Sequence, residues 1–365
     1  MRDLLVVGGG PAGLSAAIEA ARLGFEAEVL EEHAEVGIPE HCAGLVSLKG
    51  LREVLGADAP IIREIRGFRV YSPSGKAYTV KGEEAKAAVI DRPAFERELL
   101  RRAEAKGVTV TFGSRFKGDE RFRVLINAEG TAGRVSKRIG LGIPESIPAA
   151  QLDLETTDFE DDLVEIYLGN LAPGFFAWAV PRGDSVRVGL AARGAVPLKS
   201  LEMLLDKFKP WRRFSGARRS APIFGKVVTG GPLDVCHSGN AVAIGDAGGF
   251  VKPTTGGGVV LGCLTARLAA RAACRFLSGG GDLGSFEKAW KSSYGLDFAL
   301  MRLARSVYNR MDASEFDSTL EALYSSGALK GAIQHDMDQQ GKALWRLARS
   351  RVFFRLVPAA VRAIF

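Results

Sequence analysis

The stretch that decides the fold is LLVVGGGPAGLSAAIEAARLGFEAEVLEE, which occupies residues 4–32. Its apolar start predicts a buried strand, and residues 27–31 predict a second one. Between them, Pro11 suits the first position of a helix and Gly24 suits its end. The stretch therefore predicts a strand, a helix and a second strand in direct succession.

A glycine motif stands where the first strand turns into the helix. Gly8, Gly10 and Gly13 form Gly-x-Gly-x-x-Gly, in which the first glycine permits a tight turn, the second lets the backbone approach a pyrophosphate and the third lets helix and strand touch. The helix N-terminus attracts the phosphates. Glu31 ends the second strand, where an acid binds a ribose hydroxyl. The motif predicts a dinucleotide site that also includes Pro11, Ala12 and Glu32.

Length, composition and net charge limit the class to which the protein can belong. A chain of 365 residues with 47% apolar residues is long enough for two domains with large cores. Its four cysteines lie far apart, which argues against a zinc site or a disulfide framework, and we expect no metal. The start of the chain shows no secretory signal, so we expect a cytoplasmic protein. The net charge of +7 favours an anionic partner.

The order of predicted elements indicates a mixed α/β fold in which a Rossmann-like domain is interleaved with a β-sheet domain. The β-rich patterns interrupt a nucleotide-binding domain that a late strand and helix complete, and helices follow. We predict a nucleotide-binding domain over 1–65, 87–150 and 226–300, a β-rich substrate domain over 66–86 and 151–225, and a helical region over 301–365.

A second signature lies late in the chain, where a strand ends in Gly245-Asp246-Ala247 and is followed by Pro253, a glycine cluster and a helix. It resembles the late flavin-binding motif of FAD enzymes in the para-hydroxybenzoate hydroxylase superfamily. The resemblance implies FAD as cofactor, contacted by Gly245, Asp246, Pro253, Gly256, Gly257 and Gly258. The alternative role for Asp246 is a simple helix cap.

Two further segments are similar to the same superfamily. Residues 125–130, Leu-Ile-Asn-Ala-Glu-Gly, resemble its middle motif, with Glu129 in place of the usual Asp before Gly130. Arg92 matches an arginine that touches the cofactor in these enzymes. A surface position near a helix start is an equally good interpretation of Arg92.

One segment indicates a branch of the superfamily. Phe176, Trp178, Pro181 and Gly189 follow the spacing of the geranylgeranyl reductase motif, with Phe for its Tyr, Val180 for its Phe and Ala191 for its last Gly. The resemblance implies that these four residues form a substrate wall for a prenyl chain, although ordinary sheet core is the alternative.

The segment GIPEHCAGLVS, residues 37–47, also resembles a cysteine-containing loop of these reductases. The resemblance implies that Cys42, Ala43 and Gly44 lie against the flavin. It makes Cys42 a candidate catalytic residue that positions the chain or donates a proton. The alternative is that Cys42 is a buried thiol that only packs on the flavin ring.

The resemblance implies a reductase that saturates carbon–carbon double bonds of a geranylgeranyl-type chain in an isoprenoid lipid by hydride transfer from reduced flavin. The reductant is open, either NAD(P)H or a ferredoxin-type donor protein. The alternatives are an FAD-dependent monooxygenase or halogenase of the same superfamily, and an electron-relay flavoprotein. The basic residues match no nucleic-acid-binding module, so we expect no nucleic-acid partner.

Two basic segments suit a lipid partner. Six basic residues surround Trp211 and Phe214 and could grip a lipid phosphate, with a solvated face as the alternative: Lys207, Lys209, Arg212, Arg213, Arg218 and Arg219. Residues 344–365 combine five arginines with apolar side chains and no acid. This end of the chain either lies in a membrane interface, as a peripheral contact on the cytoplasmic face, or packs on the fold.

Overall fold

The structure is a computed structural model that describes residues 2–156, 158–333 and 336–348. Its strands are β1 (Arg2–Val7), β2 (Ala27–Leu30), β3 (Leu45–Ser47), β4 (Ile61–Ile65), β5 (Gly67–Tyr71), β6 (Ala77–Lys81), β7 (Ala87–Ile90), β8 (Thr109–Thr111), β9 (Phe122–Asn127), β10 (Ser146–Glu155), β11 (Leu163–Tyr167), β12 (Ala177–Arg182), β13 (Ser185–Ala191), β14 (Arg218–Arg219), β15 (Ile223–Val228), β16 (His237–Ser238) and β17 (Ala241–Ala243).

The helices connect and cover these strands. They are α1 (Pro11–Arg22), α2 (Leu48–Leu55), α3 (Arg92–Glu104), α4 (Arg134–Arg138), α5 (Pro197–Lys207), α6 (Gly245–Gly248), α7 (Val259–Leu277), α8 (Ser285–Tyr308), α9 (Ala313–Ser325), α10 (Ala328–Ala332) and α11 (Gly341–Ala348), with short 3-10 helices over Gly56–Asp58 and Lys209–Phe214.

The nucleotide-binding half is a six-stranded sheet in the order β16-β17-β9-β1-β2-β8. Its central strand β1 pairs in parallel with both β2 and β9, and β17 pairs in parallel with β9. Because β1 is covered on both faces, its sequence is a continuous apolar run rather than an alternating one. Helices α1 and α7 pack against each other in the same core. The predicted strand–helix–strand start and the late strand and helix are confirmed.

The second half is an eight-stranded sheet in the order β14-β10-β13-β12-β11-β5-β6, with β15 also paired to β10. The predicted hairpin is its β5–β6 pair. Successive side chains of a strand point to opposite faces, so Ala177 and Ala179 of β12 pack under α5 while Trp178 and Val180 face the other way. A three-stranded sheet, β3-β7-β4, stands beside it.

The predicted Rossmann-like domain interleaved with a β-sheet domain is therefore confirmed, and so is the helical region that follows, as far as residue 348. Two predicted domain borders fall inside strands of the larger sheet. Strand β10 begins at Ser146, before the border at 150, and β15 runs over Ile223–Val228, across the border at 225. The pairing of β15 with β10 is the reason, since a sequence pattern does not reveal which strands pair.

The helix that follows the glycine turn is tied to α7 by one buried carboxylate, which gives a pH prediction. Glu19 accepts hydrogen bonds from Arg22 and from Arg271 of α7. The hydrogen bond from Arg22, opposed by burial and assisted by Arg271, lowers the pKa of Glu19 from 4.5 to about 2. A carboxylate with a lowered pKa stabilises the fold fully above its unfolded-state pKa, and that stabilisation is lost as the pH falls through the folded value.

We expect the free energy of unfolding of the wild type to decrease more between pH 4.5 and pH 2 than that of Glu19→Gln, which cannot ionise. Urea denaturation at several pH values in this window measures the difference. Parallel pH profiles for the two proteins would show that Glu19 is not held ionised by its arginines.

Candidate functional site

A large cavity, here called the site cavity, lies between the two halves of the molecule. Its volume is about 1060 Å³, and it extends from the carboxyl end of β1 to the faces of β11 and β12. This is at the upper end of the range for ligand sites, roughly 300–1,000 Å³. All predicted site residues line it except Gly44, Pro253, Pro181 and Gly189.

The three glycines of the N-terminal motif have three different surroundings. Gly8 has a φ of +108°, and a Cβ on it would lie 2.2 Å from the carbonyl oxygen of Ala128. A Cβ on Gly13 would lie 2.0 Å from the carbonyl oxygen of Gly8, whereas one on Gly10 would meet no protein atom within 4 Å. Gly10 also precedes α1 without a side-chain cap. The turn therefore presents free backbone to the cavity, which fits a pyrophosphate.

The acids after β2 differ in their contacts. The Glu31 carboxylate accepts hydrogen bonds from the backbone N–H of Gly9, at 2.7 Å, and from that of His33, at 2.9 Å. It thus lies directly against the glycine turn, where an adenine-side ribose would pass. Glu32 also lines the cavity but forms ion pairs with Arg115 and Arg134.

The late motif brings Asp246 and the glycines of residues 256–258 to the cavity. The Asp246 side chain makes no capping hydrogen bond to α6 or to α7. Burial raises the pKa of Asp246, and the positive charge of Arg92 opposes that shift. A Cβ on Gly258 would lie 3.2 Å from the Asp246 carboxylate and 2.5 Å from Val251, so the backbone passes close to both side chains.

Arg92 begins α3, and only 13% of its side chain is exposed, so the surface interpretation is wrong. Its guanidinium forms an ion pair with Glu96 of the same helix. Burial acts to lower the pKa of Arg92, but the neighbouring Cys42 and Glu96 outweigh it and raise the pKa above its usual range. A permanent positive charge therefore acts on both Cys42 and Asp246.

Glu129 of the middle motif is already bound within the protein. Its carboxylate accepts hydrogen bonds from the backbone N–H groups of Arg134, Val135 and Ser136 at 2.8–3.0 Å. It therefore satisfies the free N–H groups at the start of α4. The longer side chain reaches this helix, while Gly130 and the Glu129 backbone lie at the cavity.

The loop that carries Cys42 is fixed to the large sheet by a buried ion cluster. Arg187 of β13, only 2% exposed, donates to the carbonyl oxygen of Cys42 at 2.8 Å and forms ion pairs with Glu40 and Asp153. Arg182 forms a second ion pair with Glu40 at 2.6 Å. We call these contacts the loop clamp. Cys42 itself is half-buried, and its sulfur accepts a hydrogen bond from the backbone N–H of Gly44.

Gly44 and Pro253 support the site from outside the cavity. Gly44 has a φ of +82°, and a Cβ on it would lie 2.9 Å from the carbonyl oxygen of Ile90. Pro253 is buried and packs near Gly231. Neither residue lines the cavity.

Of the four residues of the geranylgeranyl reductase motif, two line the site cavity and two lie behind its wall. Phe176 and Trp178 line the cavity, and the Phe176 ring stacks on Phe175 at a centroid distance of 4.2 Å. Pro181 lies in the buried part of β12, outside the cavity, next to the cavity-lining Val180. Gly189 lies under the indole of Trp178, because a Cβ on it would be 2.3 Å from that ring. Gly189 thus shapes the wall without being part of it.

Replacing Gly189 by alanine is expected to displace the indole and raise the KM for an apolar substrate. Over-packing of this kind costs about 1–3 kcal/mol. FAD affinity should be unchanged, because Trp178 lies on the larger sheet. Steady-state kinetics and a flavin titration measure the two effects. The control is Gly216→Ala, whose Cβ meets no protein atom within 4 Å, and equal KM values for both variants would contradict the role of Gly189.

The sequence analysis did not predict that the last described helices line the site cavity. We call α10, residues 336–340 and α11 the roof segment, and its cavity-lining residues include Leu329, Met337 and Leu344. The fully buried Lys252, just before the glycine cluster, forms an ion pair of 2.8 Å with Asp338 of this segment. Thr254 donates a hydrogen bond to Gln340 at 2.6 Å. The only signal in the sequence is the helical pattern, which does not reveal what a helix covers.

The basic cluster faces away from the site. Trp211 and Phe214 are fully buried in the core under α5, on the other face of the large sheet. Arg213 stacks on Phe214 and forms an ion pair with Glu165 at 2.9 Å. A lipid head group inside the site cavity would not meet these residues. The residues beyond 348 of the basic C-terminal stretch lie outside the described residues.

Two further observations on the described residues concern metal ions and membranes. In those residues, no group of three or more His, Cys, Asp or Glu side chains is arranged to hold a metal ion. None of the described helices is both long enough and apolar enough to cross a bilayer.

Comparisons with known proteins agree with this geometry. Residues 6–44 match the family model of the NAD(P)-binding Rossmann-like domain. Digeranylgeranylglycerophospholipid reductase 2 of Methanopyrus kandleri is 29% identical over 360 residues, which cover 88% of this chain and 90% of that protein.

Two solved structures share the fold. A geranylgeranyl bacteriochlorophyll reductase-like protein of Thermoplasma acidophilum superposes with a TM-score of 0.85 at 22% identity, covering 98% of this chain and 99% of that one. The flavin-dependent brominase Bmp2 has a TM-score of 0.67 at 17% identity, covering 95% and 98%. The predicted resemblance to geranylgeranyl reductases is confirmed. The likeness to the brominase is one of fold.

Proposed function

We propose that this chain, which is similar to digeranylgeranylglycerophospholipid reductases along most of its length, is an FAD-dependent reductase that saturates carbon–carbon double bonds of a prenyl chain. The observation that carries the proposal is the continuity of the site cavity. One cavity runs from the glycine turn and Glu31 to an apolar wall that includes Trp178 and Val164. A dinucleotide and an apolar chain can therefore meet in it.

The glycines and the buried charges fit FAD. The open backbone at Gly10 and the start of α1 would hold the pyrophosphate, and Glu31 would bind the ribose. The backbone of residues 256–258, at the start of α7, would face the isoalloxazine, where a helix N-terminus favours an electron-rich ring. When bound and reduced, FAD supplies a hydride to the alkene.

The protein residues supply orientation and exclusion of water. Trp178, Phe176 and Ile166 offer an apolar face that holds a chain in place, and Met337 and Leu329 of the roof segment cover it. An oriented chain in a dry cavity lowers the barrier for attack on an isolated alkene. Cys42, beside the Arg92 charge, is the candidate proton donor.

The partners that we propose are a prenylated lipid, a membrane surface and a redox-donor protein. The relatives named above are reductases of a prenylated glycerophospholipid, and a prenylated lipid is the substrate that we propose here. Peripheral membrane contact and a redox-donor protein stay predictions. The electron donor, NAD(P)H or a ferredoxin-type protein, is open.

The test is to reduce the FAD-loaded protein without oxygen, add prenylated lipids and quinones, and determine product masses. We expect lipid products that are heavier by two hydrogens per double bond. The rival monooxygenase or halogenase function predicts instead oxygen uptake with NAD(P)H and no hydrogen gain. An electron-relay protein predicts flavin reoxidation by a protein partner with all lipid masses unchanged.

A further inference from the structure

Three residues form a row across neighbouring strands on the cavity face of the large sheet. Gln151 of β10 pairs with Gly189 of β13, and Gly189 pairs with Trp178 of β12. Directly paired residues of antiparallel strands point to the same face. Gln151 and Trp178 both line the site cavity, and Gly189 adds no side chain of its own to the space between them, where the Trp178 indole lies.

Trp178 contributes a hydrogen-bond donor to this space. Its indole lies over Gly189, with Nε1 only 2.5 Å from where a Cβ on Gly189 would be. The Nε1 atom is buried and has no hydrogen-bond partner among the described residues. An indole nitrogen can only donate.

Gln151 contributes an acceptor. Its side chain is 3% exposed, and its Nε2 donates to the carbonyl oxygen of Glu40 at 3.0 Å. That bond fixes the orientation of the amide, because only the nitrogen can donate to a carbonyl. The Oε1 atom is therefore turned away from Glu40, and within the described part of the chain this buried oxygen has no partner.

A buried donor and a buried acceptor on one cavity wall are destabilising unless both are satisfied. An oxygen that accepts from the indole and donates to the amide satisfies both. A hydroxyl group does this, whereas an ether or a carbonyl oxygen can only accept and an ammonium group can only donate. The neighbouring charges of Arg187, Asp153 and Glu40 are paired with one another, so the position favours a neutral group.

We propose that Gln151 and Trp178 form a polar subsite that holds one hydroxyl oxygen in the otherwise apolar part of the site cavity. The oxygen comes either from an alcohol group of the bound ligand or from a water molecule. The inference rests on the proposed function in that the ligand is a prenyl compound. It assigns to Gln151 a ligand contact that no motif in the sequence predicts.

The test measures binding, not turnover, in the FAD-loaded protein. Geranylgeraniol, its methyl ether and the hydrocarbon of equal length are titrated against the wild type, Trp178→Phe, Gln151→Met and Ile143→Val. Trp178→Phe removes the donor and Gln151→Met removes the acceptor. Ile143→Val is the control, because Ile143 is exposed and does not line the site cavity.

We expect the wild type and Ile143→Val to bind the alcohol about three- to tenfold more tightly than the methyl ether, the size of one neutral hydrogen bond. Gln151→Met should lose this preference, because only the alcohol donates to the amide oxygen. Trp178→Phe should keep it but lose the advantage of the ether over the hydrocarbon, because both oxygens accept from the indole. That result assigns the oxygen to the ligand. If instead no protein prefers the alcohol, a high-resolution structure of the FAD-loaded wild type should show a water oxygen within hydrogen-bond distance of both atoms, absent from Trp178→Phe.

No alcohol preference together with no oxygen between the two side chains would overturn the subsite. An alcohol preference over the ether that survives in Gln151→Met would overturn it as well. The test measures binding and not turnover, so its result can be interpreted even if the protein does not reduce prenyl chains. If the protein reduces prenyl chains but fails this test, the proposed function is correct and the polar subsite is wrong.

Discussion

Replacing Gly10 by alanine is expected to leave the fold intact and to weaken FAD binding at least tenfold. A Cβ at this position meets no protein atom within 4 Å, and the φ of −72° suits any residue. The added methyl group instead extends into the site cavity at the start of α1, where the pyrophosphate would approach the backbone. Flavin fluorescence quenching measures affinity, and thermal unfolding measures stability.

The matched variant Gly13→Ala should behave differently. Its Cβ would lie 2.0 Å from the carbonyl oxygen of Gly8, so α1 and the turn must separate. Over-packing of this kind costs about 1–3 kcal/mol, and we expect a lower melting temperature together with the loss of FAD. If Gly10→Ala binds FAD as tightly as the wild type, the pyrophosphate does not lie at this turn.

Replacing Arg187 by methionine is expected to have the second large effect. Arg187 is buried and holds Glu40, Asp153 and the carbonyl oxygen of Cys42 together. Removing one partner of a buried ion pair costs about 3–5 kcal/mol. Here the Asp153 carboxylate loses its ion pair, whereas Glu40 keeps the one with Arg182. The loop with Cys42 should lose its fixed position, so that kcat falls and the thiol reacts faster with iodoacetamide.

The matched control for this change is Arg213→Met. Arg213 forms an ion pair with the buried Glu165 of the same sheet, and Arg213 itself does not line the site cavity. It should lower the free energy of unfolding and leave the alkylation rate of Cys42 unchanged. Equal alkylation rates in Arg187→Met and the wild type would contradict the loop clamp.

The parts of the molecule that the sequence predicted correctly are local. The turn of Gly8, Gly10 and Gly13, the hairpin β5–β6 and the alternation of β12 each depend on residues that are close along the chain. Backbone conformation and the two-residue period of a strand are properties of short segments. They were sufficient to predict the nucleotide-binding end and the aromatic part of the wall.

The parts that the sequence did not predict depend on contacts between distant residues. Lys252 and Asp338 are 86 positions apart, and their ion pair joins the glycine cluster to the roof segment. Arg187 acts on a loop 145 positions earlier. Glu129 shows that even a motif residue can have a contact that the motif does not predict. Its carboxylate accepts hydrogen bonds from three backbone N–H groups at the start of α4.

The basic cluster shows the same limit for charge. Six basic residues around two aromatic rings suggested a grip on a lipid phosphate, but the rings belong to the core and Arg213 is bound to Glu165. A charge count does not reveal which face of a sheet a residue occupies.

The most direct test of the central claim, that FAD and a prenyl chain meet in one cavity, is an anaerobic single turnover. The protein is loaded with FAD, reduced, freed of excess reductant and mixed with a prenylated glycerophospholipid, while flavin absorbance and lipid mass are followed together. We predict that one double bond is lost for each flavin reoxidised. Flavin that stays reduced until oxygen is admitted, or that reoxidises with no change in lipid mass, would contradict the account.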